Sequence, residues 1–197
     1  MLAPQPDPTQ YFILSPAAEG GVANASTAGL AIGVGPITFP DYLKRPGVVT
    51  RAASNRLTVS DVKRWAEPLD RNFQSILCQN LSRMLGTQKI VTYPWYADTP
   101  VDYQVKVSVS RFETSQEGAS QLSAQWMIVN PRDGSELASG QTSATAAVQP
   151  GEDGPSAALS RDLGEMSSQI AGRIAQLRAA CKPGAAALGA SRHAGRG

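Results

Sequence analysis

The sequence predicts an α+β fold: a two-layer antiparallel sheet with two amphipathic helices on one face and a protruding hairpin arm. Three observations carry that expectation. Residues 68–86 and 156–181 each place apolar side chains at spacings of three and four, the mark of a helix with one buried stripe. Three consecutive runs between residues 102 and 148 alternate apolar and polar residues across short turns, as an antiparallel meander with one wet face does. Residues 38–66 hold turn-rich and β-prone sequence that is long for a mere connection. Two helical stripes and one sheet face are what a two-layer domain needs to close.

The elements follow in order. Gln10-Tyr11-Phe12-Ile13-Leu14-Ser15 is a short apolar run stopped by Pro16 and reads as a strand. A loop of small residues leads to a second strand at 30–37, where Gly33 and Gly35 form a G-x-G followed by Pro36. A phosphate-binding turn would open a helix there, so close backbone packing or a bulge is the better reading. Val48-Val49-Thr50-Arg51 and Arg56-Leu57-Thr58-Val59 flank Ser54-Asn55 as a small hairpin. Pro68 suits a first helical position and Gly86 a helix stop. Between them Leu69, Phe73, Ile76, Leu77, Leu81, Met84 and Leu85 form the stripe, with Asn80 on it as a paired polar group.

A strand at 88–93 is broken by Pro94-Trp95. The meander then takes Tyr103, Val105, Val107 and Val109 on one face of its first strand, and Leu122, Ala124, Trp126 and Ile128 on its second. Pro131-Arg132-Asp133-Gly134 is the turn into a Ser/Thr/Ala-rich third strand. The last helix carries Leu159, Leu163, Met166, Ile170, Ile174, Leu177 and Cys181. Residues 1–9 are expected to be a flexible tether, 10–182 a single α+β domain and 183–197 a disordered tail.

Composition excludes several functions. The 197 residues are 42% hydrophobic, enough for a core, and carry a net charge of only +2, so there is no global field for gripping nucleic acid. No apolar run reaches the length of a membrane-spanning helix. The single histidine, His193, lies in the tail, which leaves the cysteines without an imidazole partner. Asp41, Asp61, Glu67, Asp70, Asp98, Asp102 and Glu113 read as ordinary turn, cap or surface positions. No catalytic residue, cofactor or metal site is expected. Cys78 and Cys181 are too far apart in sequence for a redox pair or a closed zinc site. They read as two independent buried thiols, with a disulfide as the alternative if the helices pack side by side.

The chain opens Met1-Leu2-Ala3-Pro4-Gln5-Pro6-Asp7-Pro8, without the basic and apolar regions of a signal peptide. Two readings stay open: a cytoplasmic protein, or an exported domain without its leader. Segment 41–64 holds Lys44, Arg45, Arg51, Arg56, Lys63 and Arg64 against Asp41 and Asp61, beside Tyr42 and Trp65. Such a basic stretch with aromatic neighbours suits a protein- or lipid-facing surface; a solvated hairpin face is the plain alternative.

An ordered series of short motifs carries a family resemblance. It runs from Tyr11-Phe12-Ile13-Leu14-Ser15-Pro16 through Val34-Gly35-Pro36-Ile37 to Pro40-Asp41-Tyr42-Leu43-Lys44-Arg45-Pro46 and Val49-Thr50-Arg51. Asn55-Arg56-Leu57, Arg64-Trp65-Ala66-Glu67-Pro68-Leu69, Asn80-Leu81-Ser82 and Tyr93-Pro94-Trp95 follow. Asp102-Tyr103 with Val105, and Arg111-Phe112-Glu113, complete it. Over about residues 10–178 the sequence resembles the PqiC/YmbA family of auxiliary lipoproteins of ABC transporters. The resemblance implies a non-enzymatic role in lipid transport or envelope integrity with an MCE-domain partner. It also implies a place on the periplasmic side of the outer membrane, held by an acylated N-terminal cysteine. No cysteine precedes Cys78 here, so the chain is expected to begin just after that residue.

Together these readings make residues 40–65 a docking surface for the MCE-domain protein, for a second copy, or for both. The expected interface residues are Asp41, Tyr42, Leu43, Arg45, Arg51, Arg56, Arg64 and Trp65. Tyr42, Leu43 and Trp65 would supply the apolar anchor, and Arg45, Arg51 and Arg64 would orient it. A homo-oligomer is expected, and no nucleic acid. The alternative is a lipid-binding carrier with an apolar pocket between sheet and helices.

Overall fold

Apolar alternation and helical stripes resolve into eight strands and two helices in the computed structural model, which describes residues 7–17, 27–151 and 153–181. The strands are β1 (Gln10–Phe12), β2 (Ile32–Thr38), β3 (Gly47–Ala53), β4 (Arg56–Trp65), β5 (Ile90–Thr92), β6 (Tyr103–Ser115), β7 (Ser120–Val129) and β8 (Glu136–Ala144). A 3₁₀ turn spans Asp41–Leu43, and the helices are α1 (Leu69–Leu85) and α2 (Gly154–Ala180). Most of the expected tether and all of the expected tail, residues 1–6 and 183–197, lie outside the described residues.

The α+β class and the pair of helices on one sheet stand, but the sheet is mixed rather than antiparallel. The meander β6–β7–β8 and the hairpin β3–β4 are antiparallel. Four other pairings, β1 with β4, β2 with β5, β2 with β6 and β3 with β6, are parallel. Strand β6 is the axis of the sheet. One edge pairs with β7 along its length; the other takes β2 at Tyr103–Ser108 and β3 at Thr114 and Ser115. Alternation reveals which side chains are buried, not which way a distant neighbour runs, so sequence pattern cannot set strand direction.

Helix α1 buries Leu69, Phe73, Ile76, Leu77, Leu81 and Leu85 against the sheet. Pro68 is the residue before the first helical turn rather than its first member. Gly86 stops α1 at φ +65°, in the left-handed region that glycine enters at little cost. Helix α2 buries Leu159, Leu163, Met166, Ile170 and Ile174 and packs against α1. Phe73 of α1 stands edge-on between Phe39 and Phe112, with ring centroids 5.1 and 5.2 Å away. The space between sheet and helices is filled by side chains such as Phe73, Phe112, Leu122, Leu163 and Met166, each at most 1% exposed.

The polar group expected on the α1 stripe is doubly satisfied. Asn80 Oδ1 accepts the Ala17 N–H at 2.9 Å, and its Nδ2 donates to Ser167 Oγ at 3.1 Å. Asn72, two turns earlier on the buried side, accepts the Leu14 N–H at 2.7 Å, and Ser160 Oγ accepts that of Ser15 at 3.0 Å. The extended segment after β1 is thus clamped between the helices by side chains, which replace the ladder partners that a longer strand would have had.

The G-x-G does what its bland reading requires. The Trp95 ring lies on Gly33, where an added Cβ would come within 2.5 Å of it. Gly35 has φ +121°, where the β2–β6 register shifts between Val34 and Ile37. Cys78 is half-buried and Cys181 is exposed just past α2; both are free thiols. The expectation that Cys181 belongs to the buried stripe therefore fails: the last fully buried residue of α2 is Ile174, Leu177 is half-buried against the core, and Cys181 lies in solvent.

Candidate functional site

The segment between β2 and α1 crosses the end of the sheet as a 3₁₀ turn and the β3–β4 hairpin. Its turn is Ser54-Asn55 as expected, but β4 continues through Trp65, well beyond the expected end at Val59. From Arg56 to Arg64 no residue of β4 is buried, and Val59 and Val62 are 39% and 43% exposed. Only Lys63, Arg64 and Trp65 pair with β1, so the stretch before them forms an arm with an open outer edge. Gly47 sits where the hairpin strands press together, since a Cβ there would collide with the Ser60 carbonyl oxygen.

The eight expected interface residues fall into three groups. Leu43 and Trp65 belong to the chain's own core, at 1% and 7% exposure. They close the foot of the arm, and the Trp65 N–H donates to the Pro46 carbonyl at 2.7 Å. Neither can anchor a partner while the core stays closed, which corrects that part of the expectation.

Tyr42 and Arg51 form the second group around a residue that sequence reading placed at the surface. Glu113 of β6 is 2% exposed. Its Oε1 accepts the Arg51 Nε–H, and Arg51 Nη1 donates to the Ser54 carbonyl at 2.8 Å. The Tyr42 hydroxyl donates to the Ser110 carbonyl at 3.3 Å. Burial, then the neighbouring Glu113 carboxylate, push the Tyr42 phenol up to about 12, and the same carboxylate raises Arg51. Glu113 is buried because Arg51 and Tyr42 lie over it, and a bulge in β6 between Val109 and Arg111 sets the face on which it stands. The extra residue resets the alternation, so Phe112 returns to the core and Glu113 turns to the opposite face beneath Tyr42. The signal present in sequence was the break in alternation at Ser110-Arg111.

Asp41, Arg45, Arg56 and Arg64 make up the third group and are all exposed. Asp41 pairs with Lys44 at 2.7 Å, which holds its carboxyl below the usual range. Arg45 and Arg64 meet across a cleft of about 300 Å³ that also includes Val59 and Asp61. Arg56 lies at the opposite end of β4, beside the hairpin turn. The surface thus offers a basic rim with two exposed valines between its ends. Such a rim can steer and orient an acidic partner, while the valines supply a little apolar area.

A larger cleft of about 790 Å³ opens beside the segment after β1 and the first half of α2, with Tyr11, Ile13, Ala157 and Arg161 on its walls. It is a surface feature, distinct from the pocket between sheet and helices that a carrier would use. No helix of the described residues is long and apolar enough to cross a membrane.

The family model for the ABC-type transport auxiliary lipoprotein component matches residues 12–171. The chain is 26% identical over 118 residues to the intermembrane transport lipoprotein PqiC of Escherichia coli (strain K12), covering 60% of this chain and 62% of that protein. The match to PqiC of Shigella flexneri has the same identity and extent. The match thus spans somewhat less than two thirds of these relatives' length. Among solved structures, a Xanthomonas campestris protein superposes with a TM-score of 0.72 at 14% identity, over 88% of this chain and all of that one. An uncharacterized protein superposes with a TM-score of 0.68 at 22% identity, over 84% and 98%. Both share the fold. Matched from the buried end of β1 to the buried face of α2, the chain belongs to the family of ABC-type transport auxiliary lipoprotein components.

Proposed function

We propose that the chain is a non-enzymatic auxiliary subunit of an MCE/ABC-type lipid transport system. It docks to an MCE-domain partner, associates with copies of itself and supports envelope integrity. Its place is the periplasmic side of the outer membrane, with an acylated cysteine as anchor. The observation that carries this reading is the family match over residues 12–171. The lipoprotein character of the family and its PqiC relatives supports the envelope location. The exposed basic arm supports docking, because a strand left wet on both faces and along one edge has little use within its own fold.

Docking is assigned to the rim, Arg45, Arg56 and Arg64, rather than to the buried Leu43 and Trp65. The test is capture of a purified MCE-domain protein from the same genome, with Arg45→Glu, Arg56→Glu and Arg64→Glu combined. Binding that weakens by at least about tenfold, and by more at low salt, is expected for steering charges. Affinity indistinguishable from the parent overturns the assignment.

A further inference from the structure

Strand β8 forms one edge of the sheet: it pairs with β7 and with no other strand among the described residues. It is long and regular, facing β7 without irregularity from Ala138 to Ala144. Edge strands in stable monomers are shielded by lysines, prolines, bulges or covering segments. Strand β8 has no lysine and no proline, and no charged residue occurs from Leu137 to Gly151. Its open face presents Leu137, 36% exposed, beside the equally exposed Met127 of β7.

Helix α2 runs back along this strand. Arg161 Nη2 donates to the Ala147 carbonyl near one end, and Thr142 Oγ1 donates to Gln169 Oε1 at 2.7 Å further along. Glu165 and Arg173 lie one turn to either side of Gln169 and are exposed. Gly172 beside them faces open space.

We propose that β8 pairs antiparallel with β8 of a second copy about a two-fold axis through Thr142. The inference rests on the self-association proposed above and names its surface. The register follows from charge. Centring the pair on Thr142 puts the axis beside Gln169, so Glu165 of each copy faces Arg173 of the other. Centring it on Gly140 would move the axis about one helical turn and set Arg173 against Arg173. In the Thr142 register Gln141 faces Ser143, Gly140 faces Ala144 and Ser139 faces Thr145, so no like charges oppose one another. Helix α2 packs mainly over β7, one strand in from the edge, so with strands about 4.8 Å apart the two α2 helices lie about 14 Å apart across the seam, within joint reach of a glutamate and an arginine. The contact is isologous and closes at two copies, which removes both open edges at once.

The experiment is light scattering coupled to size exclusion on the full chain, up to about 100 µM, because mass action favours association there. The parent is expected at twice the chain mass. Arg173→Glu should raise the dissociation constant by at least about tenfold, and Glu165→Arg with Arg173→Glu should restore it. Gln141→Lys with Ser143→Lys, which sets lysines opposite each other, should give a folded monomer whose melting temperature no longer depends on protein concentration. A parent that stays monomeric, an oligomer indifferent to these changes, or a loss not restored by the charge swap overturns the proposal. Variants of the arginine rim should leave the mass unchanged while weakening partner capture, so the two readings fail separately.

Discussion

Asp162 sits on the buried side of α2, 2% exposed, with Ser120 of β7, Arg161 and Glu165 nearby and its Oδ2 buried without a hydrogen-bond partner. Burial dominates and pushes its carboxyl up to about 6 from 3.8. The neutral acid is therefore the form the fold prefers. Its contribution is fully present below about pH 4 and is lost as pH rises through 6. At pH 7 and above, holding the ionised group inside costs about 3 kcal/mol on this displacement. Asp162→Asn should accordingly raise the urea midpoint above pH 7 and leave it nearly unchanged at pH 4. A midpoint shift equal at both pH values would show that ionisation is not the cause.

The two thiols differ in the same physical way. Burial alone raises the Cys78 thiol to about 12, so it is protonated and enclosed, while Cys181 is exposed. A thiol reagent at pH 8 should label one site per chain quickly, mapped to Cys181, and reach Cys78 only on unfolding. Gly140 is a third residue-scale constraint. The Trp126 ring lies over it on the neighbouring strand, and the indole N–H is tied to Thr142 at 3.2 Å. A Cβ there would have to displace a core tryptophan.

At the scale of elements, the arm is joined to the sheet by a clasp rather than by a long ladder. Strand β3 pairs with β6 only at Thr50 and Arg51, and Arg51 covers the buried Glu113. Removing the guanidinium leaves a carboxylate in a dry site. Arg51→Gln should thus lower stability by about 3 kcal/mol in urea unfolding. Arg51→Met with Glu113→Leu should recover most of that loss, because both charges then leave together. A double variant as unstable as the single one would mean that packing, not charge, holds the arm down. The clamp on the segment after β1 works on the same principle. Asn72→Ala leaves the buried Leu14 N–H without its acceptor, a loss of about 1–3 kcal/mol.

At the scale of the whole molecule, stability and docking are carried by different parts of one contiguous segment. Leu43 and Trp65 hold the foot of the arm in the core, whereas Arg45, Arg56 and Arg64 touch mainly water. Leu43→Ala should therefore cost about 2–5 kcal/mol and depress the melting temperature by several degrees. Arg64→Glu should leave that temperature unchanged within about a degree, as exposed charges usually do. The reverse ranking in a melting series would dissolve the division between core and rim.

Much of this architecture was legible in the amino-acid order. The α1 stripe from Leu69 to Leu85, the meander from Tyr103 to Ala144 and the Ser54-Asn55 turn all follow from local periodicity and turn chemistry. So does the paired state of Asn80, because a polar side chain on a buried stripe must find a partner. The parallel pairings, the burial of Glu113 and the enclosure of Leu43 and Trp65 were not legible. Each depends on which distant segment lies alongside: Glu113 stands on the face away from the helices and is buried because Arg51 and Tyr42 cover it. Periodicity reports that a side chain is buried somewhere. Only the packed chain decides against what, because the partners come from parts of the sequence between which no local pattern runs.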